Sequence, residues 1–220
     1  MSHHHHKDTG SQHDHDNSEL AETLELAHSK RGRKRLLVAG VANAAMGGAA
    51  YWVAHRSGAN PTLIESIHDA GDSAYYITPW LITLRRRIED VRVVKWVRGT
   101  AYAAGALAGI GAGCTIAEAV QNGLHAPDKY AIAAQTAFMI GNASVALYIG
   151  KEENGSVDRA ARRHAITDAR TSGVAAVCTA TAVAVPILNP VGAALVAGMT
   201  IQNERTTIND ANETLDSLVN

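Results

Sequence analysis

No sign of charge dominates this chain. Its 20 basic and 21 acidic residues leave a formal net charge of −1 over 220 residues, so bulk charge gives no reason to expect a polyanionic partner or nucleic acid. Cysteine is scarce as well. Cys114 and Cys178 form no Cys-x-x-Cys pair, and both fall in apolar stretches where a small polarizable side chain packs well, so neither a disulfide nor a thiolate ligand is expected. There is no Gly-rich phosphate loop and no Ser/His/Asp nucleophile arrangement, which leaves hydrolytic enzyme readings without residue support, and no enzymatic activity is expected. A cleavable signal peptide is not expected either: the N-terminus is rich in His and Asp, and the first apolar run is long and lacks a convincing cleavage site. That run is expected to stay as an anchor.

Charge is absent from whole segments. Leu36 to Ala54, Gly99 to Ala117, Tyr130 to Gly150 and Thr171 to Asn203 contain no Asp, Glu, Lys or Arg. A bilayer-spanning helix needs about 20 mostly apolar residues, and each block meets that length. The last block, with Pro186 and Asn189-Pro190 in its middle, reads as parts of two helices joined by a tight turn. With Pro61 to Leu84 there are six candidate spans. The mean hydropathy of −0.07 is compatible with them, because polar ends and an Ala/Gly-rich composition both lower it. The expected fold is an all-α membrane protein with six transmembrane helices over 36–208, between a polar His-rich tail (1–35) and a short tail (209–220). A soluble all-helical protein is the alternative.

The basic residues sort by loop. With the N-terminus inside, the inner segments hold Lys30, Arg31, Arg33, Lys34 and Arg35, then Arg85, Arg86, Arg87, Arg92, Lys95 and Arg98, then Lys151, Arg159, Arg162 and Arg163; the outer loops hold Arg56 and Lys129. Cytoplasmic loops carry the excess of Lys and Arg, so both termini are expected in the cytoplasm, the lipid bilayer is the partner, and the cell (inner) membrane is the expected location.

Three smaller features follow. His3, His4, His5, His6, His13 and His15, with Asp14 and Asp16 interleaved, suit weak Zn²⁺ or Ni²⁺ binding, and read equally as a metal-gathering tail or an inert tag. Gly105, Gly109 and Gly113 recur at four-residue spacing, which lets a neighbouring helix approach closely. Asn43 and Asn142 lie inside spans, where the default role is an interhelical hydrogen bond contributing about 1 kcal/mol each, and the alternative is lining a water-filled cavity.

The chemistry lies in a pattern that occurs twice, His68/Asp72 and His164/Asp168, each inside a candidate span. An ionised Asp at the centre of a spanning helix costs roughly 2.5 to 3.5 kcal/mol on insertion scales, so two of them with two imidazoles call for a common partner, and a divalent cation fits. Residues four apart project from one helix face, so each motif offers a nitrogen and a carboxylate oxygen to one point. Two such helices facing each other complete a four-coordinate site of the kind Zn²⁺ prefers. The second span starts near Asn60 at the outer face and the fifth near Ser156 at the inner one, so each His lies eight residues in and each Asp twelve, about level near the midplane. Glu65 and Asp69 share the helix of His68, with Glu65 favoured as lining the pathway. Arg170 is a candidate salt-bridge partner for one of these acids, which would make part of the constellation structural.

These phrases resemble the transmembrane domain of the cation diffusion facilitator, or cation efflux, family. Leu63-Ile64-Glu65-Ser66-Ile67-His68 followed by Asp72-Ser73 is similar to its second-span motif, and His164-Ala165-Ile166-Thr167-Asp168 followed by Ser172 to its fifth. Gly141-Asn142 running into Tyr148, Lys151 and Asn154-Gly155-Ser156 resembles its fourth span and following loop, and Asn189-Pro190 stands where the family usually has Asp-Pro. The resemblance covers roughly Leu36 to Leu218. It implies a six-helix unit, usually a homodimer, that exports divalent metal in exchange for protons through His68, Asp72, His164 and Asp168. A His/Asp, His/Asp set resembles members handling Zn²⁺, with Cd²⁺ or Co²⁺ also compatible. The family's cytoplasmic domain is not expected, as the sequence ends at Asn220, and a second metal site in the loop from Arg85 to Arg98 is not expected either. The competing expectations are a non-transporting metal-binding subunit or sensor of the same fold, and a structural helical bundle.

Overall fold

The computed structural model describes residues 19–84, 90–149 and 156–219. Seven helices run through them: α1 (Glu19–His28), α2 (Lys30–Ser57), α3 (Asn60–Leu84), α4 (Asp90–Asn122), α5 (Tyr130–Ile149), α6 (Ser156–Ala184) and α7 (Leu188–Val219). Among the described residues there is no strand.

The helix ends follow local chemistry. Ser29 caps α2, its Oγ accepting from the Gly32 N–H at 2.8 Å, and Gly58 closes the helix in the left-handed region (φ 68°), donating its N–H to the Ala54 carbonyl. The break expected near Pro186 is present: α6 stops at Ala184, and the Leu188 and Asn189 N–H groups bond the carbonyls of Val185 and Pro186. Pro79 lies inside α3, where its ring nitrogen cannot donate to the Tyr75 carbonyl.

Helix α3 is the hub, packing against α1, α2, α4, α6 and α7. Around it α2 also meets α5, α5 meets α6, and α4 meets α7. The packing faces are built from small residues; on α4 the buried stripe is Val97, Ala101, Ala104, Ala108, Ala112 and Thr115, at three- and four-residue spacing. The Gly105/Gly109/Gly113 row is not where α4 comes closest to a neighbour. A Cβ at Gly105 or Gly109 would make ordinary contacts with α7 at 3.6 and 3.7 Å, and one at Gly113 would meet nothing within 4 Å, whereas at Gly111 it would come within 2.9 Å of Ile64.

Helices α2, α4 and α5 are long and apolar enough to cross a membrane. Helices α3, α6 and α7 coincide with the remaining expected spans but carry the ionisable side chains. The solvent pattern is inverted relative to a water-soluble bundle: Trp52, Leu107, Ile140, Leu147 and Val177 are exposed, while Asn43, Glu65, His68, Asp69 and Gln135 are completely buried.

Both expected tails differ from expectation where the structure describes them. Residues 19–28 form a helix whose Leu20, Thr23, Leu24 and Ala27 are buried, because its apolar side docks against α6 and its neighbours. At the other end α7 continues unbroken to Val219 with Ala211 and Thr214 buried. The tail histidines His3 to His6, His13 and His15 lie outside the described residues, as do Arg85 to Arg87 and residues 150–155.

Candidate metal centre

Helices α3 and α6 bring both His-x-x-x-Asp pairs together. Asp72 lies between the two imidazoles, with His164 Nε2 3.0 Å from its Oδ1 and His68 Nε2 3.4 Å from its Oδ2. Asp168 Oδ1 lies 3.7 Å from His68 Nε2 and 3.9 Å from His164 Nε2. His68, Asp72 and Asp168 are buried, and each offers a ligand atom within 4.8 Å of the others. The His164 side chain is 12% exposed. Four donors at about 2.0 Å from a tetrahedral Zn²⁺ would stand about 3.3 Å apart. The four imidazole–carboxylate separations, which run through both oxygens of Asp72 and one of Asp168, lie on either side of that value, and His68, Asp72 and Asp168 form the group that could hold a metal ion.

The nearest carboxylate to His164 is Asp72 across the helices, whereas the nearest to His68 is Asp72 of its own motif. His68 and Asp168 are level, as are His164 and Asp72, which is the consequence of equal four-residue spacings on two antiparallel helices.

The surroundings hold the imidazole of His164. Its ring stacks on Tyr75, with centroids 4.3 Å apart and planes 16° apart, and meets Tyr76 edge-on at 5.6 Å. Tyr75 in turn shares a hydrogen bond with Thr23 of α1 at 3.1 Å, so the N-terminal helix helps to hold the ring against which His164 stacks.

Glu65, Asp69 and Asn142 are buried beside the site. Asn142 Nδ2 donates to Asp69 Oδ1 at 3.3 Å and to Ser172 Oγ at 2.7 Å, and Ser172 Oγ donates to Glu65 Oε1. Asn43 is fully buried on the face of α2 that turns to α3, one turn from Gly47, where an added Cβ would lie 3.2 Å from Asp69 Cβ. Arg170 is placed elsewhere. It is exposed on α6 and forms no ion pair with Glu65, Asp69, Asp72 or Asp168, because two residues along a helix from Asp168 is about 200° around the axis. The structural alternative that relied on Arg170 loses its counter-ion.

Sequence reasoning did not single out Glu204, Tyr75 or Tyr76. Glu204 of α7 is buried over Gly71, where an added Cβ would lie 2.9 Å from its Oε1. It brings the buried carboxylic side chains among the described residues to five, with Glu65, Asp69, Asp72 and Asp168, and no lysine or arginine is buried among those residues. The available signal was its place at the end of the uncharged Thr171 to Asn203 block, in register with buried Ala193, Val196, Ala197 and Thr200. Tyr75 and Tyr76 had none beyond adjacency to the motif.

Compared with protein-family models, curated proteins and solved structures, the chain matches none.

Proposed function

We infer that this chain is a six-span membrane carrier for a divalent metal cation, Zn²⁺ foremost with Cd²⁺ or Co²⁺ compatible, working by exchange against protons. The observation that carries the reading is the convergence of two imidazole nitrogens and two carboxylates from α3 and α6 in a buried centre, with no lysine or arginine buried among the described residues. Imidazole with carboxylate suits borderline metals. Ionisable groups within a membrane bundle mark ion pathways, and the exposed apolar exterior around them supports a lipid setting.

Exchange follows from shared ligands. The cation needs neutral imidazoles and ionised carboxylates, so protons arriving from the outer side compete for His68, Asp72, His164 and Asp168 and favour release, and loading from the cytoplasm sheds those protons. Glu65 and Asp69 line the outer approach. Glu204 lines the inner one: Asn60 and Asn189 bond each other at one end of the bundle, and Glu204 lies fifteen residues past Asn189 where Asp72 lies twelve past Asn60, which sets its Cα about 4.5 Å further inward. The distribution of Lys and Arg supports cytoplasmic termini.

The test is Zn²⁺ flux into proteoliposomes under an imposed pH gradient, with the full chain, Asp168→Ala and a variant without the His-rich tail. Flux is expected to require the gradient and Asp168 and to survive loss of the tail. Undiminished flux through Asp168→Ala would overturn the assignment; stoichiometric binding without flux would make the chain a metal-binding subunit or sensor.

A further inference from the structure

Away from the His/Asp centre, the exterior of the bundle carries a groove of about 500 Å³ with α2 and α4 as its walls and α3 as its floor. Its lining is small and almost wholly apolar: Gly47 and Gly48 on α2, Ala70 and Gly71 on α3, Ala103 and Ala104 on α4. Tyr51 and Leu107, both more than half exposed, flank one end. The groove is as large as many ligand pockets, which run to roughly 300–1,000 Å³.

The other end is basic. Arg33 lies seven residues before Gly40 and fourteen before Gly47, so the three share the face of α2 that rests on Ile77 and Ser66 of α3. On α4, Trp96 and Arg92 precede Thr100 of the groove by four and eight residues. The close approaches of Gly40 to Ile77 and Gly47 to Ser66, and of Gly71 to Ala104 and Gly111 to Ile64, set the register of the three helices. Extended inward, that register brings Arg33 and Arg92 to the same level, one on each wall, beside the end of α3. Neither arginine side chain has a hydrogen bond or ion pair among the described residues. Trp96, one turn inside them, is 69% exposed.

These depths match one leaflet. Counted from Trp96, Thr100 lies about 6 Å and Leu107 about 17 Å further along α4 at 1.5 Å per residue. The hydrocarbon of a single leaflet is about 15 Å deep, half of a core of about 30 Å.

We propose that the groove seats an anionic phospholipid of the inner leaflet, with its phosphate between Arg33 and Arg92, its glycerol beside Trp96 and an acyl chain along Gly48, Gly71 and Ala104. Guanidinium forks match phosphate oxygens, and an amphipathic indole belongs at headgroup level. A second copy of the chain is the competing occupant. A two-fold dimer through this face would set the arginines of one copy against those of the other, which disfavours it. The assignment rests on the membrane setting of the proposed carrier and not on its metal.

Native mass spectrometry of the full-length chain in detergent, titrated with phosphatidylglycerol and with phosphatidylcholine, tests it. One phosphatidylglycerol per chain is expected to bind about tenfold more tightly than phosphatidylcholine, from two arginines at one headgroup. Arg33→Gln combined with Arg92→Gln should erase that preference. In Gly48→Leu the new side chain enters the groove, where a Cβ meets nothing within 4 Å, so both lipids should weaken by about threefold or more. Gly113→Leu is equally open but lies on the opposite side of α4 from Ala104, and should leave both lipids unchanged. A chain with no headgroup preference would overturn the proposal, as would a preference that survives loss of both arginines. A dimer without bound lipid that Gly48→Leu dissociates would give the groove to a second copy instead. A chain soluble without detergent would sink the membrane setting itself, whereas a detergent-solubilised chain without the preference would sink the lipid site alone.

Discussion

His164 Nε2 lies 3.0 Å from Asp72 on the opposite helix and 3.9 Å from Asp168 on its own. The α6 motif is thus completed from α3, whereas His68 lies nearest to Asp72 of its own helix, at 3.4 Å. Removing Asp72 should therefore do more than delete one donor, because it is the carboxylate both imidazoles approach most closely. Asp72→Asn is expected to weaken Zn²⁺ binding by more than the roughly 10–100-fold typical of losing an outer-shell partner. Isothermal titration with the tail histidines replaced would measure it, and a change under threefold would remove Asp72 from the ligand set.

Acidification should release the metal. Binding at His68 and His164 requires both rings neutral, so protons and cation compete, and affinity is present at neutral pH and lost as pH falls. The dissociation constant for Zn²⁺ is expected to rise at least tenfold between pH 7.5 and pH 5.5, with protons taken up on release. An affinity flat across that interval would be incompatible with imidazole ligation.

Glu204 offers a test that separates binding from passage in the proposed carrier. Among the described residues it makes no hydrogen bond or ion pair with the four ligands, yet it is buried against Gly71, next to Asp72 in sequence. Glu204→Gln keeps its shape and removes its charge, so equilibrium Zn²⁺ affinity should change less than threefold while flux into proteoliposomes falls about tenfold. Equal losses of both would make Glu204 a ligand or a folding residue.

Three glycine substitutions should rank by what a new methyl group meets. At Gly71 it would lie 2.8 Å from Ala104 Cβ and 2.9 Å from Glu204 Oε1, and since Ala104 has no rotamer to change, overpacking of about 1–3 kcal/mol should exceed the helix-propensity gain. At Gly111 the contact is the flexible end of Ile64, and the two effects should nearly cancel. At Gly113 nothing lies within 4 Å, and alanine should stabilise by about 0.5–1 kcal/mol. Thermal unfolding in detergent should order the midpoints Gly113→Ala, Gly111→Ala, Gly71→Ala from highest to lowest.

The His/Asp residues were legible because a four-residue spacing in a charge-poor segment has one geometric meaning, and the turn at Pro186 because proline interrupts an uncharged run. Arg170 was legible too, had helical phase been weighed: 164, 168 and 172 share a face and 170 does not. Residues 19–28 were harder. Glu, Thr and His between their leucines mimic a solvated tail, and only tertiary contact shows that Leu20 and Leu24 are buried. Glu204 suffered from its neighbour: beside exposed Arg205 it reads as a solvated pair, although helix α7 turns the two side chains to different environments.

Pro79 gives α3 a joint. The missing N–H leaves one rung out of the helical ladder at the carbonyl of Tyr75, the residue whose ring lies flat against His164 and whose hydroxyl is tied to Thr23. Bending is least costly at such a gap, which separates the stretch of α3 carrying Glu65, His68, Asp69 and Asp72, with the tyrosine that stacks on His164, from the last residues of the helix.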